Sequence, residues 1–250
     1  MAFDDPAFWT ALLKIIGVNI VLSGDNAVVI ALAARSLPPH QQKQAIFWGS
    51  GAAVAMRIVL TIFAVALLAL PWLKLIGSVL LLWIGVKLLL PEEEDTNIEA
   101  SDKLWPAIKT ILIADLVMSL DNVIAVAAAA GNSYTLLIIG LAISIPLVVF
   151  GATLLLKLME RWPIIITIGA GLLGFVAGEM AWEDNAIAGF TAQYPSFMKY
   201  VIAAIGAIFV VGLGRILAGR SLKRAAAEHL ESQGAHPDPA AKAGSPDSVR

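Results

Sequence analysis

Forty-seven consecutive residues, 110–156, carry only two charges, Asp115 and Asp121, and thirty more, 44–73, carry only Arg57. No water-soluble core needs apolar runs of that length, whereas a helix that crosses a bilayer takes about 20 such residues. With 59% apolar and 14% charged residues, the chain reads as an all-α polytopic membrane protein. Apolar runs between turn and charge punctuation predict spans near 9–35, 44–70, 72–90, 105–130, 134–158, 162–181 and 196–218. About seven spans take about 140 residues, which leaves loops and a tail but no separate catalytic domain. The start Met1-Ala2-Phe3-Asp4-Asp5 lacks the cationic region of a cleaved signal peptide, so the first apolar segment is expected to persist as a helix.

An odd number of spans puts the termini on opposite sides. With the N-terminus outside, the inner segments carry ten cations: Arg35, Lys43, Lys87, Lys103, Lys157, Arg161, Arg215, Arg220, Lys223 and Arg224. Lys14, Lys74 and Lys199 remain outside, so the bias of Lys and Arg toward the inner face gives N-out, C-in. Residues 1–220 are expected to form the membrane domain and 221–250 a largely disordered tail rich in Ala, Pro, Ser and charge. The segment 91–102 holds six acids and reads as a solvated loop that could gather cations at an inner mouth.

Shifted by 96 residues, the chain aligns with itself: Trp9 falls on Trp105, Ser23 on Ser119, Asp25 on Asp121 and Asn26 on Asn122. Apolar matches come cheaply in a membrane chain, but polar matches in register do not. At a shift of 92, Gly77 falls on Gly169 and Lys87 on Glu179. Two units of three helices in one chain must lie in opposite orientations. The expectation is therefore a 3+3 inverted repeat, 9–90 and 105–181, with an extra helix at 196–218.

Asp25, Asp115 and Asp121 fall inside apolar spans, where an ionised side chain costs about 3 kcal/mol or more. Arg57, mid-span, can neutralise one of them but not all three; Lys87 can snorkel to a membrane face, and Glu179 falls near the outer end of its helix. The excess negative charge calls for a cation or protons. Residues seven apart share a helix face, so Asn19, Ser23 and Asn26 form one polar stripe and Asp115, Ser119 and Asn122 the matching one. Asp25 and Asp121 lie about 100° off these stripes, so local unwinding at 23–26 and 119–122 is expected to turn them inward, favoured by Gly24 and opposed by Leu120. By depth the groups fall on two levels about the midplane, Asp25, Asp115 and Asn26 on one and Asp121, Asn19 and Asn122 on the other, which helix tilt could merge. The candidate metal ligands are Asp25, Asn26, Asp115, Asp121 and Asn122, with Asn19, Ser23, Ser119, Arg57 and Glu179 in support. There is no cysteine, and His40, His229 and His236 fall in loops or tail. This oxygen-only set suits Mn²⁺, Mg²⁺ or Ca²⁺ rather than Cu⁺ or Zn²⁺, while Met118 and Met180 suit apolar packing better than ligation.

The twin segments Val18-Asn19-Ile20-Val21-Leu22-Ser23-Gly24-Asp25-Asn26-Ala27 and Ala114-Asp115-Leu116-Val117-Met118-Ser119-Leu120-Asp121-Asn122-Val123 resemble the paired signatures of the TerC family of integral membrane proteins, and more closely its YjbE-type branch. The resemblance covers about residues 9–217. It implies a multi-pass protein of the bacterial cytoplasmic membrane that exports metal ions, with Mn²⁺ the best-supported substrate class, and it maps the family's acidic motif residues onto Asp25, Asp115 and Asp121. Asn19 stands where the second repeat has Asp115, so the two halves differ chemically.

The leading expectation is thus an exporter of a divalent metal, foremost Mn²⁺, working by alternating access, with Asp115 or Glu179 as a candidate proton-coupled group. The rivals are a cation/proton antiporter for Na⁺ or Ca²⁺ and a non-transporting membrane scaffold or assembly factor. An enzyme is disfavoured, because the spans hold no His, Cys or Ser-Lys dyad. No resident cofactor is expected. The expected partners are the bilayer and the transported ion, with no nucleic acid, and a homo-oligomer stays open. Since the chain has no native cysteine, single cysteines at Asp4, Ser101 and Ser232 test the orientation: Asp4 labels from outside and the other two only from inside, and the reverse pattern overturns N-out, C-in.

Overall fold

A computed structural model describes residues 6–22, 24–68, 70–91, 100–130 and 134–234; within its helices the side chains of Asn19 and Asp121, among others, lie outside the description, as does Ser23 entirely. Nine α-helices are described: α1 Pro6–Leu22, α2 Gly24–Ala34, α3 Pro39–Leu68, α4 Leu73–Lys87, α5 Ala100–Ala130, α6 Tyr134–Arg161, α7 Ile164–Trp182, α8 Ala188–Thr191 and α9 Met198–Gly234, with a 3-10 turn at Asn185–Ile187 before α8. The described residues contain no strand. By length and apolarity, Pro39–Phe63, Thr135–Arg161, Ile164–Trp182 and Met198–Lys223 can each cross a bilayer, and Phe8–Val18 and Gly24–Ala34 are shorter apolar helices. Helix α5, with 31 residues, is about 46 Å long at 1.5 Å per residue, more than the ~30 Å of hydrocarbon. Five tryptophans, Trp9, Trp72, Trp83, Trp105 and Trp162, are exposed at or near helix ends, and Trp48 is exposed further along α3. Their amphipathic rings suit the headgroup region. Lys87, exposed at the end of α4, lies 5.3 Å over the Trp83 ring, the arrangement of a cation that snorkels.

Two local readings change. Helix α5 runs unbroken through Ser119-Leu120-Asp121-Asn122, so the expected unwinding does not occur there; its counterpart at 23–26 includes Ser23, which lies outside the described residues. Leucine at 120, where the first repeat has Gly24, supplies a side chain that is buried in helical packing. The last helix continues from 218 to Gly234, because Ala225-Ala226-Ala227-Glu228-His229-Leu230-Glu231 is rich in strong helix formers and holds neither Gly nor Pro. The acidic residues 92–99 and the tail 235–250 lie outside the described residues.

The packing pattern is preserved when the two halves are exchanged. Helix α3 packs on α5 as α6 packs on α1 and α2; α4 packs on α5 as α7 packs on α2; the pairs α1–α5, α3–α6 and α4–α7 map onto themselves. Close approaches repeat as well. A Cβ on Gly49 of α3 would stand 2.8 Å from Ile111 Cδ1, and one on Gly140 of α6 would stand 2.5 Å from Ile15 Cγ2, and Ile15 and Ile111 are equivalent at the 96-residue shift. The equivalent glycines Gly77 of α4 and Gly169 of α7 are also close-packed, against Val117 and Val28 respectively, each with a Cβ approach of 2.7 Å, though these two valines are not equivalent at the 96-residue shift. Setting Gly49 on Gly140 brings the buried positions Ala45, Ile46, Ala53 and Thr61 onto Leu136, Leu137, Ser144 and Ala152, all buried too. An inverted repeat needs such a two-fold relation between its halves.

Helix α9 stands outside this pairing and packs mainly on α7. Backbone meets backbone there: a Cβ on Gly174 would collide with the Gly206 carbonyl, one on Gly206 with the Gly174 carbonyl, and one on Gly178 would lie 2.6 Å from Ala203 Cα. Small residues allow this approach, which in lipid replaces the hydrophobic effect as the source of helix association. Gly206→Val is expected to destabilise the detergent-solubilised protein by about 1–3 kcal/mol through overpacking. Gly212→Ala, with nothing within 4 Å of the added carbon, leaves the melting temperature unchanged or raised. Equal melting of the two variants overturns the α7–α9 contact.

Candidate functional site

The polar stripe of α5 meets α3 inside the bundle. Arg57 Nη2 donates to Asp115 Oδ1 at 2.6 Å, Arg57 Nε donates to Ser119 Oγ at 3.0 Å, and Ser119 Oγ donates to Asp115 Oδ2 at 3.2 Å. The three side chains close a ring, and each residue is at most 5% exposed. Asp115 and Ser119 can serve one guanidinium because residues four apart lie on one helix face. On α3, Thr61 Oγ1 caps the arrangement by donating to the Arg57 carbonyl at 2.7 Å. Both oxygens of Asp115 are thus engaged, and its charge is met by a fixed cation.

Beside this ring lies a cavity of ≈ 10 Å³ lined by Asn26, Ile30, Ser50, Ala53, Val54, Arg57, Asp115 and Val148, about the space one water needs. Ser50 Oγ is buried there with no hydrogen-bond partner among the described residues. Asp25 stands in the first turn of α2, where its Oδ1 accepts the Asn26 N–H at 2.8 Å. It lies within electrostatic reach of both Arg57 and Asp115. Of the expected inner level, Asn26 and Asp115 line this cavity together, and Asp25 is the residue before Asn26. Asn122 is half-buried. The expected outer level also rests on Asn19 and Asp121, whose side chains lie outside the described residues, as does Ser23. Among the described residues no three acidic or histidine side chains converge as a metal cage. Met118 and Met180 belong to the hydrophobic core.

Glu179 sits elsewhere, in an ion cluster at the end of the bundle where α7 stops and α9 starts. Lys199 Nζ lies 3.3 Å from Glu179 Oε1 and 2.5 Å from Glu183 Oε1, and Lys74 Nζ lies 3.4 Å from Glu183 Oε2. Sequence reasoning missed the organiser of this end, Asp184, which is 1% exposed. It accepts backbone N–H bonds from Trp72 at 3.0 Å, Leu75 at 3.0 Å and Ala186 at 2.7 Å. Trp72 has φ 69°, the only left-handed non-glycine among the described residues; Pro71 before it suggests the turn, but only the carboxylate explains how a tryptophan holds that position. At the opposite end an open cavity of about 730 Å³ is lined by Arg35, Lys87, Lys103 and Glu160 among other residues.

The sequence profile of the family described as "Integral membrane protein TerC family" matches residues 4–226. The membrane protein YjbE of Bacillus subtilis is 47% identical over 184 residues, covering 74% of this chain and 84% of that protein. The membrane protein YkoY of the same organism is 28% identical over 191 residues, covering 68% of this chain and 59% of that protein. The inner membrane protein YoaE of Escherichia coli K12 is 25% identical over 240 residues, covering 88% of this chain and 45% of that protein. No solved structure matches.

Burial pushes the Asp184 carboxyl up, but N–H bonds from Ala186, Leu75, Trp72 and Lys74 outweigh it and hold it below the ordinary value near 3.8. A depressed folded-state value stabilises the protein fully above the unfolded value and is lost as pH falls through the folded one. Asp184→Ala is therefore expected to cost about 1–3 kcal/mol at pH 7, by leaving buried N–H groups unmet. Its melting temperature should approach that of the wild type only below about pH 3.8. A constant difference down to pH 2.5 overturns the role given to the carboxylate.

Proposed function

Since the chain belongs to the TerC family of integral membrane proteins, we propose that this multi-pass protein is a transporter that exports a divalent metal cation, foremost Mn²⁺, from the bacterial cytoplasm across the inner membrane. It is not an enzyme, and the metal is cargo rather than a resident cofactor. One observation carries the reading. The repeat-equivalent Asp-Asn pairs, Asp25-Asn26 and Asp121-Asn122, stand on α2 and α5, which pack directly against each other within a bundle that has the contact symmetry of an inverted repeat.

The two pairs offer carboxylate and amide oxygens, and this is hard-cation chemistry. Formal charge is needed as well as oxygen, because neutral groups replace only part of the hydration energy a divalent ion gives up on leaving water. Alternating access follows if one half rocks against the other about these residues. The test is Mn²⁺ flux in proteoliposomes. Asp25→Asn and Asp121→Asn each keep shape and remove charge, so each is expected to insert, fold and lose at least about tenfold in flux. Flux of Na⁺ or Ca²⁺ in place of Mn²⁺ moves the assignment to a cation/proton antiporter. Near wild-type Mn²⁺ flux in both variants overturns the site.

A further inference from the structure

The two-fold relation lets one half of the chain serve as a control for the other. On the register that sets Gly49 on Gly140, Arg57 of α3 falls on Val148 of α6. On the 96-residue register, Asp115 of α5 falls on Asn19 of α1. The interface of α3 with α5 has an aspartate facing an arginine; the equivalent interface of α6 with α1 has asparagine and valine at the matching positions. The two differences occur together, at the positions whose side chains meet at 2.6 Å in the first case. Arg57 and Val148 line the same small cavity, so the exchange axis of the halves passes close to it. By contrast Asp25 and Asp121 are aspartate in both halves.

We propose that Arg57 is a built-in counter-cation that withdraws Asp115 from the ligand set and leaves the transport site with the two repeat-shared aspartates, a formal charge of two that one divalent ion balances. The proposal rests on the metal-transport reading for its consequence and on the ring geometry for its cause. Each oxygen of Asp115 already accepts a hydrogen bond in this arrangement, one from Arg57 and the other from Ser119, itself held by Arg57, and the guanidinium neutralises its charge. An incoming cation would also meet the guanidinium at once, since both line one cavity wall. Arg57 thereby acts as a specificity-determining residue. Without it the site would hold a third unneutralised carboxylate and favour a proton or a further cation beside the divalent ion.

The experiment compares wild type, Arg57→Val, Asp115→Asn and the double variant Arg57→Val/Asp115→Asn, which copies the Asn19 and Val148 of the equivalent interface. A second double, Arg57→Met/Asp115→Asn, retains the bulk of the arginine stem and separates cavity from charge. Each protein is measured for melting temperature in detergent and for Mn²⁺ flux in proteoliposomes. Each single is expected to melt at least about 6 °C below wild type, because it strands one buried charge or its partners, and to lose flux by about tenfold. At least one double should melt within about 3 °C of wild type and keep a third or more of the flux. A stable double with flux as low as Asp25→Asn overturns the proposal, since the charge of Asp115 would then be needed by the cargo. Both doubles melting as low as the singles also overturns it. If wild type carries no Mn²⁺, the transport reading alone fails, and recovery or not of melting in the doubles still decides whether the pair neutralises itself.

Discussion

Taking an arginine and an aspartate out of water costs several kcal/mol for each ion, and their attraction recovers it only where hydrogen bonds satisfy the rest of both groups. The ring of Arg57, Asp115 and Ser119 meets that condition. Much else in the bundle depends on it. The ring fixes the register of α3 on α5, because a slip of one residue would turn Arg57 toward lipid or toward apolar packing. Along the same contact Gly49 lets Ile111 sit against the α3 backbone, and a slip would put a larger residue there. Steric fit and charge thus select one register, the first through close packing and the second through the penalty for a stranded charge.

From that contact the candidate site follows by symmetry. The α3–α5 interface has its counterpart in α6 against α1 and α2, where Gly140 receives Ile15. Two equivalent interfaces bring the helices of the two Ser-x-Asp-Asn segments side by side. The interfaces are unequal in charge, however: arginine and aspartate face each other at one, and valine and asparagine stand at the matching positions of the other. Packing equivalence and chemical difference therefore coexist at neighbouring positions, which separates what the repeat needs for folding from what it adds once.

Much of this was legible in the chain. The spans could be read because lipid demands long apolar runs, and the repeat because Trp, Ser, Asp and Asn recur in register. The face shared by Asp115 and Ser119 followed from helix periodicity. Which aspartate Arg57 would engage did not follow, since that depends on how α3 is rotated against α5, a property of packed shapes such as Gly49 on Ile111 rather than of spacing. The relation of α3 to α6 was hidden for a related reason: its matches are buried positions filled by different residues, Ser50 against Leu141 and Ala53 against Ser144. Asp184 was invisible because its partners, Trp72 and Leu75, are more than a hundred residues away and offer only backbone.

An inverted repeat working by alternating access exchanges the conformations of its halves, so the inward- and outward-open states of a chemically symmetric chain would have equal energy. Two features here remove that degeneracy. Helix α9 covers α7 far more than α4, its repeat partner. The Arg57 ring bridges the halves at only one of the two equivalent interfaces, so a movement that opens the α3–α5 contact strains its hydrogen bonds, whereas the matching positions of α6 and α1 hold valine and asparagine. A difference of 1.4 kcal/mol between the states is already a tenfold population bias, less than the cost of breaking one buried ion pair. If the protein works by alternating access, the residue that balances Asp115 is thus placed to set which face rests open, and the variant Arg57→Val/Asp115→Asn, by making the two interfaces alike at these positions, should bring the two populations closer together. Accessibility of single cysteines placed on the α3–α5 side of each mouth would measure that shift, and unchanged labelling ratios would assign the bias to α9 instead.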